Sequence, residues 1–153
     1  MNKTNYLQNL NAVVLQLKQA EKHLNTSYQR CQEIGLHGSH SEDHLIEFEA
    51  LTGRFARLVD MLIHKLFRTI DTVELVDAGT LIDVMNRAEK RGFVDSALDL
   101  RALKDLRNDI AHEYLEKKLT ILHKEVYQSV PKLFAIIAHS IAYSQKYITI
   151  PQE

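Results

Sequence analysis

The sequence predicts an all-α fold, an antiparallel bundle of about five helices in a single domain spanning residues 1–153. The chain contains only five glycines and two prolines, so long stretches lack the residues that break helices. Apolar residues recur at steps of three and four, the spacing that places them on one face of an α-helix. A chain of this length forms one domain with a substantial core, and no linker or repeat divides it.

The first helix is predicted over residues 6–34. Its apolar residues lie mostly at helical steps and form one stripe: Leu7, Leu10, Val14, Leu17, Leu24, Tyr28 and Cys31. Gly35 is a natural stop, because glycine adopts the left-handed conformation common after the last helical residue. The following segment, residues 35–43, is polar and holds two glycines, which indicates a loop.

The second helix is predicted to start near Ser39 or Ser41, and Ser39 with Glu42 has the spacing of a capping box. Apolar residues then fall on more than one face as far as residue 70. A helix that is apolar over so much of its surface is surrounded by other helices, so we expect it to be central. Arg54 and Arg57 lie on its more polar side.

A break over residues 71–79 precedes a shorter third helix. Thr80 is its expected cap, since Asp83 follows three residues later in a pattern close to the capping box. The helix is expected to end at Arg91 and Gly92.

Two further helices complete the predicted bundle. Asp95 or Ser96 caps the fourth, which extends to about Ala111. The last covers residues 119–147, and Pro131 must kink or split it, because proline lacks the N–H that an interior helical residue donates.

Composition restricts the functional classes. A net charge of −1 excludes a strongly basic nucleic-acid binder, although it allows a local basic cleft. The single cysteine, Cys31, excludes an internal disulfide and a cysteine-rich zinc module, and its place on the first apolar stripe predicts burial. The polar N-terminus lacks the apolar core of a signal peptide, and the most apolar run is too short to span a bilayer. We therefore expect a cytoplasmic protein with no membrane segment.

Residues 107–114 read Arg-Asn-Asp-Ile-Ala-His-Glu-Tyr, a dense group of ionisable side chains near the end of the fourth helix. Asn108 and His112 are four residues apart and share a face, so the amide could hold the imidazole in one tautomer. Arg107 and His112 are five residues apart, about 140° around an ideal helix. They can act on one small group only if the helix ends near His112, or if a second copy of the chain completes the site across a two-fold axis.

This pair suits phosphodiester cleavage without a metal. Histidine exchanges a proton near neutral pH and could move the proton of an RNA 2′-hydroxyl or of the leaving group. Arginine offers a planar set of donors that matches phosphate and could stabilise charge on the phosphorus oxygens. The simpler alternative is a helix end with surface polar residues, where His112 interacts favourably with the helix dipole.

The eight residues also resemble the Arg-x4-His-x-Tyr motif of HEPN domains (higher eukaryotes and prokaryotes nucleotide-binding), and among them the HepT-type toxins of prokaryotic toxin–antitoxin pairs. Residues 81–92 and the order of long and short helices support the likeness. The resemblance implies a helical homodimer and a metal-independent endoribonuclease without a cofactor. It implies Arg107 and His112 as catalytic residues, with Asn108 and Asp109 as accessory RNA-binding residues.

The resemblance also implies a partner and a place in the cell. The partner is an MNT-type (minimal nucleotidyltransferase) antitoxin of a type VII-like system, which transfers AMP to the motif tyrosine, here Tyr114, in the prokaryotic cytoplasm. A bulky anion two residues from His112 would compete with RNA phosphate for Arg107. The alternative within the family is a non-catalytic HEPN subunit that binds a nucleotidyltransferase and helps to form its substrate site.

Histidines elsewhere are weaker candidates. Those of the predicted loop could form a zinc or nickel cluster with neighbouring carboxylates, but a solvated loop is the better interpretation, and no metal is expected. That group comprises His37, His40 and His44 with Glu42 and Asp43. Single histidines on helices are expected at the core edge or the surface: His64, His123 and His139.

Overall fold

The structure is a computed structural model that describes residues 2–113 and 115–149, and these residues form helices and connecting turns without a strand. The helices are α1 (Lys3–Ile34), α2 (Glu42–Asp60), a π-helical turn (Met61–Leu66), α3 (Phe67–Val73), α4 (Leu81–Lys90), α5 (Ala97–His112) and α6 (Glu116–Ser144). Since α2, the π-helical turn and α3 follow one another without a break, we call them together the central helix. The described residues thus form five helices, which confirms the predicted all-α bundle. No helix within the described ranges has the length and apolarity needed to cross a membrane.

Helix α1 begins slightly earlier than predicted. The side chain of Asn2 caps it by accepting a hydrogen bond from the N–H of Asn5 at 3.0 Å. The predicted stop is confirmed: Gly35 has a φ of 83°, and its N–H donates to the carbonyl of Cys31.

The central helix begins at the second of the two expected caps. Ser41, not Ser39, is the N-cap: its hydroxyl accepts the N–H of His44 at 3.2 Å, while Nδ1 of His44 accepts the N–H of Ser41. The capping box therefore closes through an imidazole, and the Ser39–Glu42 pairing does not form.

The caps of the next two helices match their predictions. Thr80 caps α4 in a closed capping box with Asp83, whose carboxylate accepts the N–H of Thr80 at 2.8 Å. Ser96 caps α5 by accepting the N–H of Leu98 at 3.2 Å. Of the two candidates for that position, Ser96 is therefore the cap.

The central helix lies within the bundle, as its apolar pattern predicts. Its inward-facing side chains are almost completely buried, among them Phe48, Phe55, Leu58, Leu62, Ile63, Leu66 and Phe67. Helices α1, α5 and α6 all pack against it. Its remaining face, between α1 and α5, is open to solvent and carries the polar side chains of the candidate site.

The neighbours of the central helix differ in direction. Helix α5 runs antiparallel to it, because Lys104 contacts His64 while Arg107, further along α5, contacts the earlier Asp60. Helix α6 starts beside Phe48, a residue near the start of the central helix, and ends beside Glu74. It is therefore parallel to the central helix, as diagonal helices are in an up-down-up-down bundle.

Helix α6 continues through Pro131 as one element. A kink or a split was expected at this proline, and the split does not occur. Pro131 is exposed to solvent. It has no N–H to donate to the carbonyl of Tyr127, four residues earlier, so the helix loses one hydrogen bond there without ending.

A buried polar network joins α3 to α4. The carboxylate of Asp71, 2% exposed, accepts two hydrogen bonds from Arg87, at 3.1 and 2.8 Å, and one from Arg91 at 2.7 Å. Because buried carboxylates are costly without partners, the two guanidinium groups are what allow Asp71 to lie inside.

Glu74 extends this network to α6. Its carboxylate pairs with Arg91 at 2.6 Å and accepts the hydroxyl hydrogens of Tyr143 and Tyr147. Burial opposes ionisation of Glu74, but the two tyrosine hydrogen bonds and Arg91 outweigh it and lower the pKa of the carboxyl group. The network therefore fixes the loop between α3 and α4 against the end of α6.

Replacing Asp71 by alanine is expected to destabilise the fold by about 3 kcal/mol or more, since two partly buried guanidinium groups lose their main partner. Urea unfolding measures the change. Asp77→Ala, which removes an exposed carboxylate from the loop between α3 and α4, should change the free energy of unfolding by less than about 0.5 kcal/mol. Equal effects of the two substitutions would show that the network contributes no stability.

Candidate functional site

The motif that begins at Arg107 lies at the end of α5. The helix ends near His112, which was the first of the two conditions under which Arg107 and His112 could act on one group. His112 is the last helical residue, and Glu113, with φ and ψ of −90° and 120°, leaves the helix in an extended conformation. The N–H of Glu113 closes the final turn by donating to the carbonyl of Asp109. The imidazole of His112 is therefore placed at the C-terminal end of the helix, where positive charge is favourable.

Arg107 is directed toward the central helix. Its Nε–H donates to both carboxylate oxygens of Asp60, at 2.8 and 3.0 Å. The hydrogen bond with Asp60 raises the pKa of Arg107, so the guanidinium group stays charged. Burial opposes ionisation of Asp60, but the bond and charge of Arg107, with the charge of Lys104, lower the pKa of its carboxyl group. Both contacts use Nε alone, and the structure gives the terminal amino groups of Arg107 no other partner among the described residues.

One helical turn earlier on α5, Lys104 forms a second link to the central helix. Its Nζ lies 2.9 Å from Nε2 of His64 and 3.5 Å from Oδ1 of Asp60. Burial and the charge of Lys104 lower the pKa of His64, which favours the neutral imidazole. His64 lies in the π-helical turn, a feature found frequently at functional sites.

These side chains line a surface groove of about 800 Å³ between α5 and the central helix. Gly53 and Ala56 form a part of it without bulky side chains. Its charged residues are four cations and one carboxylate: Arg57, Lys65, Lys104, Arg107 and Asp60. The groove therefore carries an excess of positive charge on a chain whose net charge is −1.

The structure thus brings Arg107 together with Asp60, His64 and Lys104, which lie outside the motif. His112 is not among the residues that line the groove. Asn108, Asp109 and His112 are all exposed to solvent. Tyr114, the predicted modification site, lies outside the described residues. Within one copy of the chain, Arg107 and His112 do not line the same groove.

Asp60 and His64 could have been found from the sequence. Polar residues of the central helix recur at steps of three and four, the same period as its apolar stripes: Arg57, Asp60, His64 and Arg68. This spacing marks one polar face on an otherwise apolar helix. The spacing does not show which helix packs beside this face.

Several cations outside this groove have structural partners. Arg54 donates to the carbonyl of His23 and to the hydroxyl of Ser27, at 3.0 and 2.9 Å, and so joins the central helix to α1. Arg87 and Arg91 belong to the Asp71 network. The charge of the groove therefore comes from the central helix and the second half of α5.

The loop histidines have local structural contacts. Nε2 of His40 lies 3.0 Å from the carbonyl of Gly35, and His44 closes the cap of the central helix. Within residues 2–113 and 115–149, no three histidine, cysteine or carboxylate side chains are placed to hold a metal ion.

Cys31 is buried, as predicted, and its thiol donates to the carbonyl of Glu47 at 3.5 Å. Burial and the nearby charge of Glu47 raise its pKa to about 11. A thiol of this kind remains protonated near neutral pH and is a poor nucleophile. Packing is therefore its role.

No protein-family model, curated protein or solved structure matches this chain.

His123 makes the stability of the fold depend on pH. Its ring is buried and stacks on Phe48, and burial lowers its pKa. Because the unfolded chain binds the proton more tightly, the buried neutral ring makes its full contribution to stability above the ordinary histidine pKa of about 6.5. This contribution is lost as the pH falls toward and through the pKa of His123 in the folded protein. His123→Phe should reduce the loss of stability between about pH 7 and pH 5.5, as measured by urea unfolding. The exposed His139, changed to Phe, is the control, and equal slopes for the two variants would contradict the assignment.

Proposed function

We propose that the chain is a metal-independent endoribonuclease of the HEPN type, a toxin that acts as a homodimer through Arg107 and His112. The observation that carries the proposal is the position of Arg107, held by Asp60 in a cation-rich groove on the helix that ends at His112. A groove with this excess of positive charge suits a phosphodiester backbone. The exposed Asn108 and Asp109 would contact RNA beside the pair.

In the proposed reaction, one His112 imidazole accepts the proton of an RNA 2′-hydroxyl, and the 2′-oxygen attacks the adjacent phosphorus. The bond from phosphorus to the 5′-oxygen breaks as that oxygen gains a proton from the same imidazolium group. The products are a 2′,3′-cyclic phosphate and a 5′-hydroxyl end. The terminal amino groups of Arg107 donate to the non-bridging oxygens, where negative charge accumulates in the transition state.

A second copy of the chain would supply the missing group. In one copy, Arg107 lies in the groove while His112 lies outside its lining. A two-fold axis near the end of α5 would place the His112 of one copy beside the Arg107 of the other and would produce two equivalent sites.

Neutralisation by an MNT-type nucleotidyltransferase forms the regulatory part of the proposal. Transfer of AMP to Tyr114 would place a phosphate anion two residues from His112 in the sequence, where it would compete with RNA phosphate for Arg107. After coexpression with the cognate transferase, the intact mass of the chain should increase by whole AMP units. The Tyr114→Phe chain should gain none, and an equal gain in that variant would move the acceptor elsewhere.

One observation favours the second candidate, a non-catalytic subunit that helps a partner nucleotidyltransferase. The ion pair of Arg107 with Asp60 occupies part of the guanidinium group, as expected of an arginine with a structural role. A chain with that role would bind its partner but leave RNA intact.

Incubation of the purified chain with RNA in the presence of EDTA tests the proposal. Wild-type protein should cleave RNA, and His112→Ala should lower the rate by at least about 100-fold, the usual size of a proton-transfer contribution. His139→Ala, which removes another exposed histidine, should cleave at the wild-type rate. Cleavage by His112→Ala at the wild-type rate would contradict the proposed mechanism, and an inactive wild type that binds a nucleotidyltransferase would favour the second candidate.

A further inference from the structure

The groove beside α5 is one part of a longer concave surface. It shares Arg57 and Met61 with a second depression, which lies against α1. It shares His64 and Lys65 with a third, which extends toward Thr72. We call this continuous surface, which lies along the open face of the central helix between α1 and α5, the central trough.

The charge of the central trough is strongly one-sided. Its lining contains six Lys or Arg side chains: Arg54, Arg57, Lys65, Arg68, Lys104 and Arg107. Asp60 is the one carboxylate among the described lining residues, and it is paired with Arg107. Since the whole chain has a net charge of −1, the acidic residues are concentrated on other surfaces.

We infer that the central trough binds the phosphodiester backbone of RNA and leads it to Arg107. The inference rests on the proposed function for its choice of ligand, and it adds a binding track on the central helix that the eight-residue motif does not contain. Arg57 and Lys65 line the groove together with Arg107, and Arg68 would bind a phosphate further along the central helix, toward Thr72.

The length of the track suits a polymer. From Arg54 to Arg68 the central helix advances about 21 Å, at about 1.5 Å per residue. A stacked strand places one phosphate about every 3.4 Å along its axis, so about six phosphates fit beside the six cations. A small anion would need only one end of such a surface.

The chemistry of the lining indicates what is recognised. The described lining has no Phe or Tyr side chain on which a base could stack. It does have amide side chains on α1, at Asn9, Gln16 and Gln19, which can donate to phosphate and sugar oxygens. Binding should therefore depend steeply on salt and weakly on base sequence.

The test compares two triple variants with the same change in net charge. Arg57→Glu, Lys65→Glu and Arg68→Glu reverse the track without altering the motif. Lys22→Glu, Lys90→Glu and Lys117→Glu reverse exposed cations outside the trough, on α1, α4 and α6. Affinity for a labelled 20-nucleotide RNA is measured by fluorescence anisotropy at several salt concentrations, and cleavage is measured at saturating RNA, with circular dichroism as the check on folding.

The track triple should bind RNA at least about tenfold more weakly than the control triple. The slope of the logarithm of its binding constant against the logarithm of the salt concentration should be less steep by about two. Equal affinities of the two triples would overturn the inference, even if wild-type protein cleaves RNA. If the two triples differ in affinity for RNA but not for poly-glutamate, the result supports RNA as the ligand. If wild-type protein binds poly-glutamate more tightly than RNA, the inference is overturned in favour of an acidic protein. Because binding is measured separately, an inactive wild type would refute the proposed function and leave the track to be decided by affinity.

Discussion

The ion pair between Arg107 and Asp60 is the contact on which the interpretation of the site depends. It joins the motif helix to the central helix across 47 residues of sequence. With the two side chains 29% and 34% exposed, the pair contributes little stability, since exposed ion pairs are typically worth less than about 1 kcal/mol. The ion pair instead orients the guanidinium group of Arg107 toward the groove, whereas His112 lies outside the groove lining. This arrangement is the reason that the proposed site is shared between two copies of the chain.

The position of α5 itself is set by apolar packing. Leu100, Leu103 and Leu106 are buried against the core and hold the helix beside the central helix. The polar residues on the neighbouring face are thereby aligned in register, so that Lys104 meets His64 and Arg107 meets Asp60. Elsewhere, Asp71 and Glu74 neutralise the cations of α4. This separation of charges is how a chain with a slight negative net charge presents a basic trough.

Most of the fold could be predicted from the sequence because its helices are long, strongly periodic and marked by local signals. Gly35, Thr80 and Ser96 act within a few residues of the chain, so their roles are visible in the sequence. The choice of Ser41 over Ser39 was less visible, since an imidazole closes the capping box in place of a carboxylate. The π-helical turn had no sequence signal that we could identify.

The candidate site could be predicted only in part. The motif indicated Arg107, and the predicted helix end at about Ala111 lies one residue from the observed end at His112. The partners of Arg107, however, depend on tertiary packing. Asp60 and His64 lie on a helix that a local pattern cannot pair with α5.

The most direct test of a site shared between two copies is complementation by mixed dimers. Arg107→Ala and His112→Ala proteins, each inactive alone, are unfolded together, refolded and assayed for RNA cleavage. If one copy supplies arginine and the other histidine, each mixed dimer retains one intact site, and random pairing restores about a quarter of the wild-type activity. If the mixture is no more active than its two parents, although mixed dimers form, the groups act within one copy and the shared site is wrong.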